Sequence, residues 1–193
     1  MCPPGRESIS DGVAAAVDAT DVRAQAFRRL AEQHLDASYG LAYAILRDVV
    51  EAQDATHDAF VAAWRAWDTL REPDRFQAWF DRILVYTCRH RLRDRARRRA
   101  RHGVRDVSAE LGPVVTDHQA RVAEQDRIAH GLAQLTVDQR IVLALRYERD
   151  LTVDQIARHL GIRAGTVKSR LHHALRRLRN RLETLDREGP ADG

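Results

Sequence analysis

Residues 151–182, LTVDQIARHLGIRAGTVKSRLHHALRRLRNRL, decide the fold. Thr152 followed three residues later by Gln155 is a capping-box spacing, which predicts a helix starting at Val153. Ile156, Ala157 and Leu160 fall on one face of that helix. Gly161 stands where the chain must reverse, and glycine accepts the left-handed conformation of a short turn. Ile162, Val167, Leu171, Ala174, Leu175 and Leu178 then carry the apolar stripe of a second helix. Two helices joined by so tight a turn form a helix-turn-helix, whose second helix can enter the DNA major groove.

The outward positions of the second helix separate this reading from that of an ordinary helical hairpin. They are Arg163, Thr166, Lys168, Ser169, Arg170, His172, His173, Arg176, Arg177, Arg179 and Arg181, with no acid among them. A face that only had to be soluble would mix signs, whereas this one suits phosphates and base edges. Together with LAQLTVDQRIVLALRYERDL upstream, the segment resembles the C-terminal promoter-binding domain of bacterial extracytoplasmic-function (ECF) sigma factors.

The remainder of the chain has the composition of a soluble helical protein. Its 193 residues can hold one ordinary domain or two small ones, with 44% hydrophobic and 31% charged residues. No run reaches the length of a membrane span and the N-terminus lacks a signal segment, so a cytoplasmic protein is expected. Cys2 and Cys88 are too few for a disulfide framework or a zinc site, and Cys88 reads as a plain buried thiol. The net charge is only +4, yet all but one of the 32 basic residues are arginine, Lys168 being the exception. Guanidinium groups bind phosphate bidentately.

Taken in order, residues 1–20 carry no strong periodicity and read as a flexible tail. Over residues 21–50, Phe27, Leu30, Ala31, His34, Leu41, Ala42, Ile45, Leu46 and Val49 follow one helical face, with small Ser38 on it. His34 reads as a packed core or boundary histidine. Asp48 with Glu51 could cap the next helix, which buries Ala55, Ala59, Phe60, Ala63, Trp64 and Trp67. Acids at the start of that helix are favoured by the macrodipole, so a structural role alone would explain them. After a turn at REPD (71–74), Phe76, Trp79, Phe80, Ile83 and Leu84 begin a helix that runs into a dense arginine block between Arg89 and Arg101. Such a block repels itself without a partner, and a polyanion is the natural one. Residues 101–125 break every pattern around Gly103, Gly112 and Pro113 and read as a linker. From 126 the helical pattern resumes with Ile128, Leu132 and Leu135, then Thr136 and Gln139 repeat the capping box before Ile141, Val142, Leu145 and Tyr147. The expected fold is therefore all-α: two small helical domains (21–100 and 126–185) joined by a flexible linker, the second containing the helix-turn-helix, with a tail over 186–193.

The resemblance extends to the first domain. EAQDATHDAFVAAWRAW is similar to the segment by which ECF sigma factors grip core RNA polymerase, which implies Asp54, His57, Asp58, Phe60 and Trp64 as contacts. His57 stands where the family more often has glutamine. FQAWFDRILVYTCRHRLR is similar to the segment that melts and reads the "-10" promoter element, implying Trp79, Tyr86, Arg89 and Arg93 as single-strand contacts. Tyr86 replaces the usual asparagine; a phenol can stack on an unpaired base and donate one hydrogen bond. In the second domain the resemblance places Thr166, Lys168, Ser169, Arg170, His172, His173 and Arg176 against the "-35" element, His173 standing where arginine is more frequent.

The resemblance implies a promoter-specificity subunit whose partners are core polymerase, promoter DNA and an anti-sigma protein, often membrane-bound. No catalytic constellation, metal cluster or cofactor loop is evident in the sequence, so neither an enzyme, a cofactor nor a small-molecule substrate is expected. A free-standing helix-turn-helix regulator, and an adaptor with incidental basic faces, stay open on the residues alone.

Overall fold

The structure, a computed structural model, describes the backbone over residues 8–102 and 131–187, and the side chains over 21–98, 101 and 131–184. Every regular element among them is helical: α1 (Ser8–Leu46), α2 (Val49–Arg65), α3 (Phe76–His102), α4 (Val137–Tyr147), α5 (Val153–Leu160) and α6 (Ala164–Arg187). Short 3-10 turns at Trp67–Thr69 and Pro73–Arg75 join α2 to α3. The expected linker and residues 126–130 lie outside the described residues, apart from residues 101–102, which end α3.

α1 begins earlier than the sequence pattern suggests. Residues 8–20, expected as a tail, are helical, in keeping with the strong helix preference of Ala14, Ala15, Ala16 and Ala19. The helix also stops sooner, at Leu46, because Arg47 takes a left-handed φ of 57° and Asp48 an extended one of -147°. The Asp48 carboxylate then accepts a 3.0 Å hydrogen bond from the Glu51 backbone N–H, capping α2 as its spacing predicts. Val49 is consequently the first residue of α2, not the last of the preceding helix.

α1, α2 and α3 pack together around Leu41, Ala42, Ile45, Ala55, Ala59, Phe76, Phe80 and Leu84. Alanines at 52, 55, 59 and 63 give α2 a buried face without bulk, so the larger rings of the neighbouring elements fill the space. Phe60 stacks on Phe80 at 4.3 Å between centroids, and Phe27 meets Trp64 and Trp67 edge-on at 5.2 and 5.3 Å. His34 lies against Phe76 at 5.3 Å, and Ser38 is buried at the same helix face.

In the second domain both capping boxes form, Thr136 with Gln139 on α4 and Thr152 with Gln155 on α5. Gly161 closes α5 at φ 65° and ψ 34°, and the Ala157 carbonyl accepts from its backbone N–H. Val167 is fully buried against Ile156 and Ala157, which fixes the crossing of α5 and α6. Leu175, expected in the apolar stripe, is instead 39% exposed, at the edge of a face whose centre is the fully buried Ala174 beside it.

The two domains do not stand apart. Ile141, Val142, Leu145 and Ile156 belong to the same continuous apolar cluster as Leu41, Leu84 and Cys88. α4 lies across α1 and α3, and α5 reaches α3.

Candidate nucleic-acid interface

The polar face of α6 is built by what lies beneath it. Val167, Leu171 and Ala174 anchor the helix, and the positions between them face outward. Thr166, Lys168, Ser169, His172, His173 and Arg176 are all exposed and cover the first three turns. Arg170 differs: it is half-buried and its Nη2 lies 2.6 Å from Asp138 Oδ2. The His172 and His173 rings are 5.6 Å apart at 72°, pointing to different parts of the surface. Among the described residues no three His, Cys, Asp or Glu side chains converge to hold a metal.

α3 runs for 27 residues, about 40 Å at 1.5 Å per residue. Trp79, Tyr86 and Arg93 are spaced seven apart, two turns each, and share one side of it. Their environments differ. Trp79 is half-buried beside Trp67 and Phe76, its indole N–H donating to the Thr69 hydroxyl at 3.2 Å. Tyr86 is 70% exposed, a large ring presented to solvent with Arg93 two turns on. Arg89 is half-buried and donates to Asp138 at 3.0 Å. One carboxylate, in the first turn of α4, thus holds arginines from both candidate DNA-facing helices. Asp138 carries no signal of this in the sequence, because an acid two residues after a helix cap is already explained by the macrodipole.

The arginine block is less naked than it reads. Arg91 donates to Glu51 at 3.0 Å and also to Asp58, with Asp54 at 3.4 Å, while Arg95 lies 3.5 Å from Asp48. Burial works against the Arg91 charge, but the hydrogen bonds to Asp58 and Glu51 raise its pKa above the ordinary guanidinium value. The self-repulsion expected of the block is partly relieved from within, by the acids of α2.

On α2, Asp54, His57, Asp58 and Trp64 stand on the exposed face, whereas Phe60 turns into the aromatic core. Two apolar residues that the sequence did not single out, Val50 and Val61, join that exposed face at 66% and 37% exposure. They flank Asp54 and His57 at helical spacing, a signal hidden by their unremarkable identity. Arg23 from α1 lies over the Trp64 ring at 5.2 Å.

Residues 30–98 match Sigma-70 region 2 and residues 131–180 match Sigma-70 region 4, which defines the class: a two-domain sigma factor. The ECF RNA polymerase sigma factor SigL of Mycobacterium tuberculosis is 32% identical over 172 residues, covering 86% of this chain and 94% of the relative. SigM of the same organism is 31% identical over 182 residues, with 94% of this chain and 89% of the relative covered. The RNA polymerase sigma-E factor of Streptomyces avermitilis is 30% identical over 167 residues, 86% and 89% of the two chains. The fold is that of the sigma factor RpoE solved with the anti-sigma factor NepR from Bartonella quintana, at a TM-score of 0.68 and 23% identity over 81% of this chain and 96% of that one. CnrH, solved with the cytosolic domain of CnrY, superposes at a TM-score of 0.58 and 25% identity over 84% and 95%. The chain belongs to the ECF family of RNA polymerase sigma factors. Among its described residues no helix is long and apolar enough to cross a membrane.

Proposed function

We propose a division of labour among three faces of this sigma factor. α2 binds core RNA polymerase through Asp54, His57, Asp58 and Trp64, with Val50 and Val61 on the same surface. α3 captures the melted "-10" strand, Tyr86 stacking on an unpaired base with Arg89 and Arg93 on its phosphates and Trp79 bracing the helix. α6 reads the "-35" element, Lys168, Ser169, His172 and His173 toward base edges, with Thr166, Arg170 and Arg176 on the backbone. The observation that carries the reading is the exposed, acid-free start of α6 on a rigid helix-turn-helix.

The protein works without catalysis of its own, in the cytoplasm, and its activity is set by what binds it. An anti-sigma protein would cover the α2 face, whose apolar Val50, Val61 and Trp64 would otherwise face water in the free chain. The test is reconstitution with bacterial core polymerase and a promoter pool, followed by sequencing of the transcripts. Starts sharing two spaced upstream elements are expected. DNA binding without comigration with polymerase and without transcripts would replace this reading with a free-standing regulator.

A further inference from the structure

The second half of α6 carries a polar cleft that its base-reading turns do not use. Gln134, Arg177, Asn180, Arg181 and Thr184 line it, and its volume is about 620 Å³. One wall is α6, where the four lining residues recur at three- and four-residue spacing and so share a side. The other is the helical turn at residues 131–133, which passes into Gln134. Gly131 brings that turn hard against α6: a β-carbon there would collide with Leu178 Cδ1.

The chemistry of the cleft is one-sided. None of the five lining residues is an acid, and Glu183, exposed on the same turn of α6, is not among them. Arg177 Nη1 lies 3.5 Å from Gln139 Oε1, an amide oxygen that already accepts the Thr136 N–H at 3.0 Å. The guanidinium is therefore aimed by a neutral group that leaves its charge in place, in contrast to Arg170, which Asp138 meets with a carboxylate. The Gln134 and Asn180 carboxamides make no hydrogen bond to another described residue, so each amide nitrogen can donate to a guest. The Thr184 hydroxyl already donates to the Asn180 backbone carbonyl at 2.9 Å. A guanidinium flanked by two amide donors, with no carboxylate, selects an oxyanion.

Position identifies the oxyanion. Thr166, Arg170, Arg177 and Thr184 fall on one flank of α6, because steps of four and seven residues return close to the same angle at 3.6 residues per turn. The first two are those set above on the promoter backbone. A helix about 10–12 Å across fills a major groove about 12 Å wide, so the flank of a reading helix meets the phosphates of the groove wall. The cleft also falls in the range of about 300–1,000 Å³ found for small-molecule sites, room for a phosphate together with the sugar it is esterified to.

We propose that this cleft is a phosphate-binding site, Arg177 supplying the charge and the Gln134 and Asn180 amides the orienting hydrogen bonds. The phosphate belongs either to the duplex beside the "-35" contacts or to a free nucleotide. The duplex source rests on the proposed reading of α6; the free one does not.

The experiment compares the full-length chain with Arg177→Ala and Asn180→Ala. Arg179→Ala, which removes the same charge from an exposed position of α6 outside the cleft, is the control. Circular dichroism gives the helix content of each. In one arm, promoter and unrelated duplexes are titrated over a range of salt. Relative to the control, Arg177→Ala weakens both about tenfold, and the fall of log affinity with log salt becomes shallower by about 0.9, the mark of one lost phosphate contact. In the other arm, inorganic tripolyphosphate is titrated without DNA while the Gln134 and Asn180 side-chain amide resonances are followed. They shift to saturation in the parent and the control, and Arg177→Ala abolishes the saturation. An effect in both arms, or in the duplex arm alone, assigns the phosphate to DNA; an effect with tripolyphosphate alone assigns it to a free phosphorylated ligand. Arg177→Ala equal to the control in both arms overturns the site, and loss of comigration with core polymerase would then give the cleft to an acidic protein surface. Should Arg177→Ala lose helix content, Asn180→Ala equal to the control in both arms overturns it instead. Polymerase-dependent initiation by the parent, run alongside, separates failure of the cleft from failure of the sigma reading.

Discussion

Replacing Gly161 with alanine tests the turn on which the helix-turn-helix depends, and tests at the same time whether the two domains unfold as one. A β-carbon built at Gly161 would meet nothing within 4 Å, so steric crowding by neighbours contributes no cost. The whole effect comes from the backbone. A non-glycine residue held at φ 65° costs about 1–2 kcal/mol. The reduced freedom of alanine in the unfolded chain returns about 0.4–1 kcal/mol of that. The expected net loss is about 1 kcal/mol, a shift of about 0.5 M in the urea midpoint for a slope near 2 kcal/mol per M. Gly161→Asn should lose less, because asparagine tolerates the left-handed region. The assay is urea unfolding followed by far-ultraviolet circular dichroism and by tryptophan fluorescence in parallel. Trp64, Trp67 and Trp79, the three tryptophans of the chain, all lie in the first domain. The apolar cluster is continuous across the junction, so fluorescence should report the Gly161→Ala shift although no tryptophan is near the turn. An unchanged midpoint by both probes would refute the left-handed cap. A shift seen by circular dichroism alone would refute the single cooperative unit.

Replacing Lys168 and Ser169 with alanine should lower discrimination between promoter and unrelated duplex by about 1–3 kcal/mol for each base edge no longer read, measured by competition binding; replacing Asp54 and Asp58 should instead weaken comigration with core polymerase, and identical defects from the two pairs would contradict the separation of faces. The Cys88 thiol, fully buried and pushed up to about 12 mainly by burial, should resist alkylation at pH 8 in the native chain and react once urea unfolds it, as peptide mass spectrometry would show. Burial, opposed by Asp81 and reinforced by Arg82 and Arg149, lowers the His159 pKa below the ordinary 6.5. Its protonation is therefore easier in the unfolded chain, so stability should fall as pH drops below about 6.5 and be flat in this contribution above it. His159→Gln should reduce that slope in urea midpoints taken between about pH 5 and 7.5.

Local chemistry was legible in the sequence wherever a structural feature needs a particular residue at a particular offset. Thr152 with Gln155, Thr136 with Gln139, and Gly161 each occupy the position their spacing demands, because caps and left-handed turns are set by neighbours a few residues away. The limits of α1 were less legible. Its end depends on Arg47 adopting a conformation that arginine does not advertise, and its start on alanines that signal helix without a face. Phe60 shows the same limit at the candidate site: a ring at the edge of an apolar stripe faces a partner or the core according to what stacks on it, here Phe80.

Pairings between residues far apart in the chain lay beyond any periodic pattern. Asp81 reads as one polar residue in an apolar helical stretch, and Arg149 as one more charge in a turn; only their meeting across 68 positions turns two unremarkable residues into a buried pair. The physical reason for keeping such a pair is specificity. Burying an ion pair in place of apolar side chains brings little stability, since desolvation offsets most of the attraction. It does penalise every misaligned packing of α4 and α5 on α3, where one charge would be left dry and alone. An apolar junction would close as readily and tolerate sliding. One built on Asp81 and Arg149 has a single register, set by the two parallel hydrogen bonds between them.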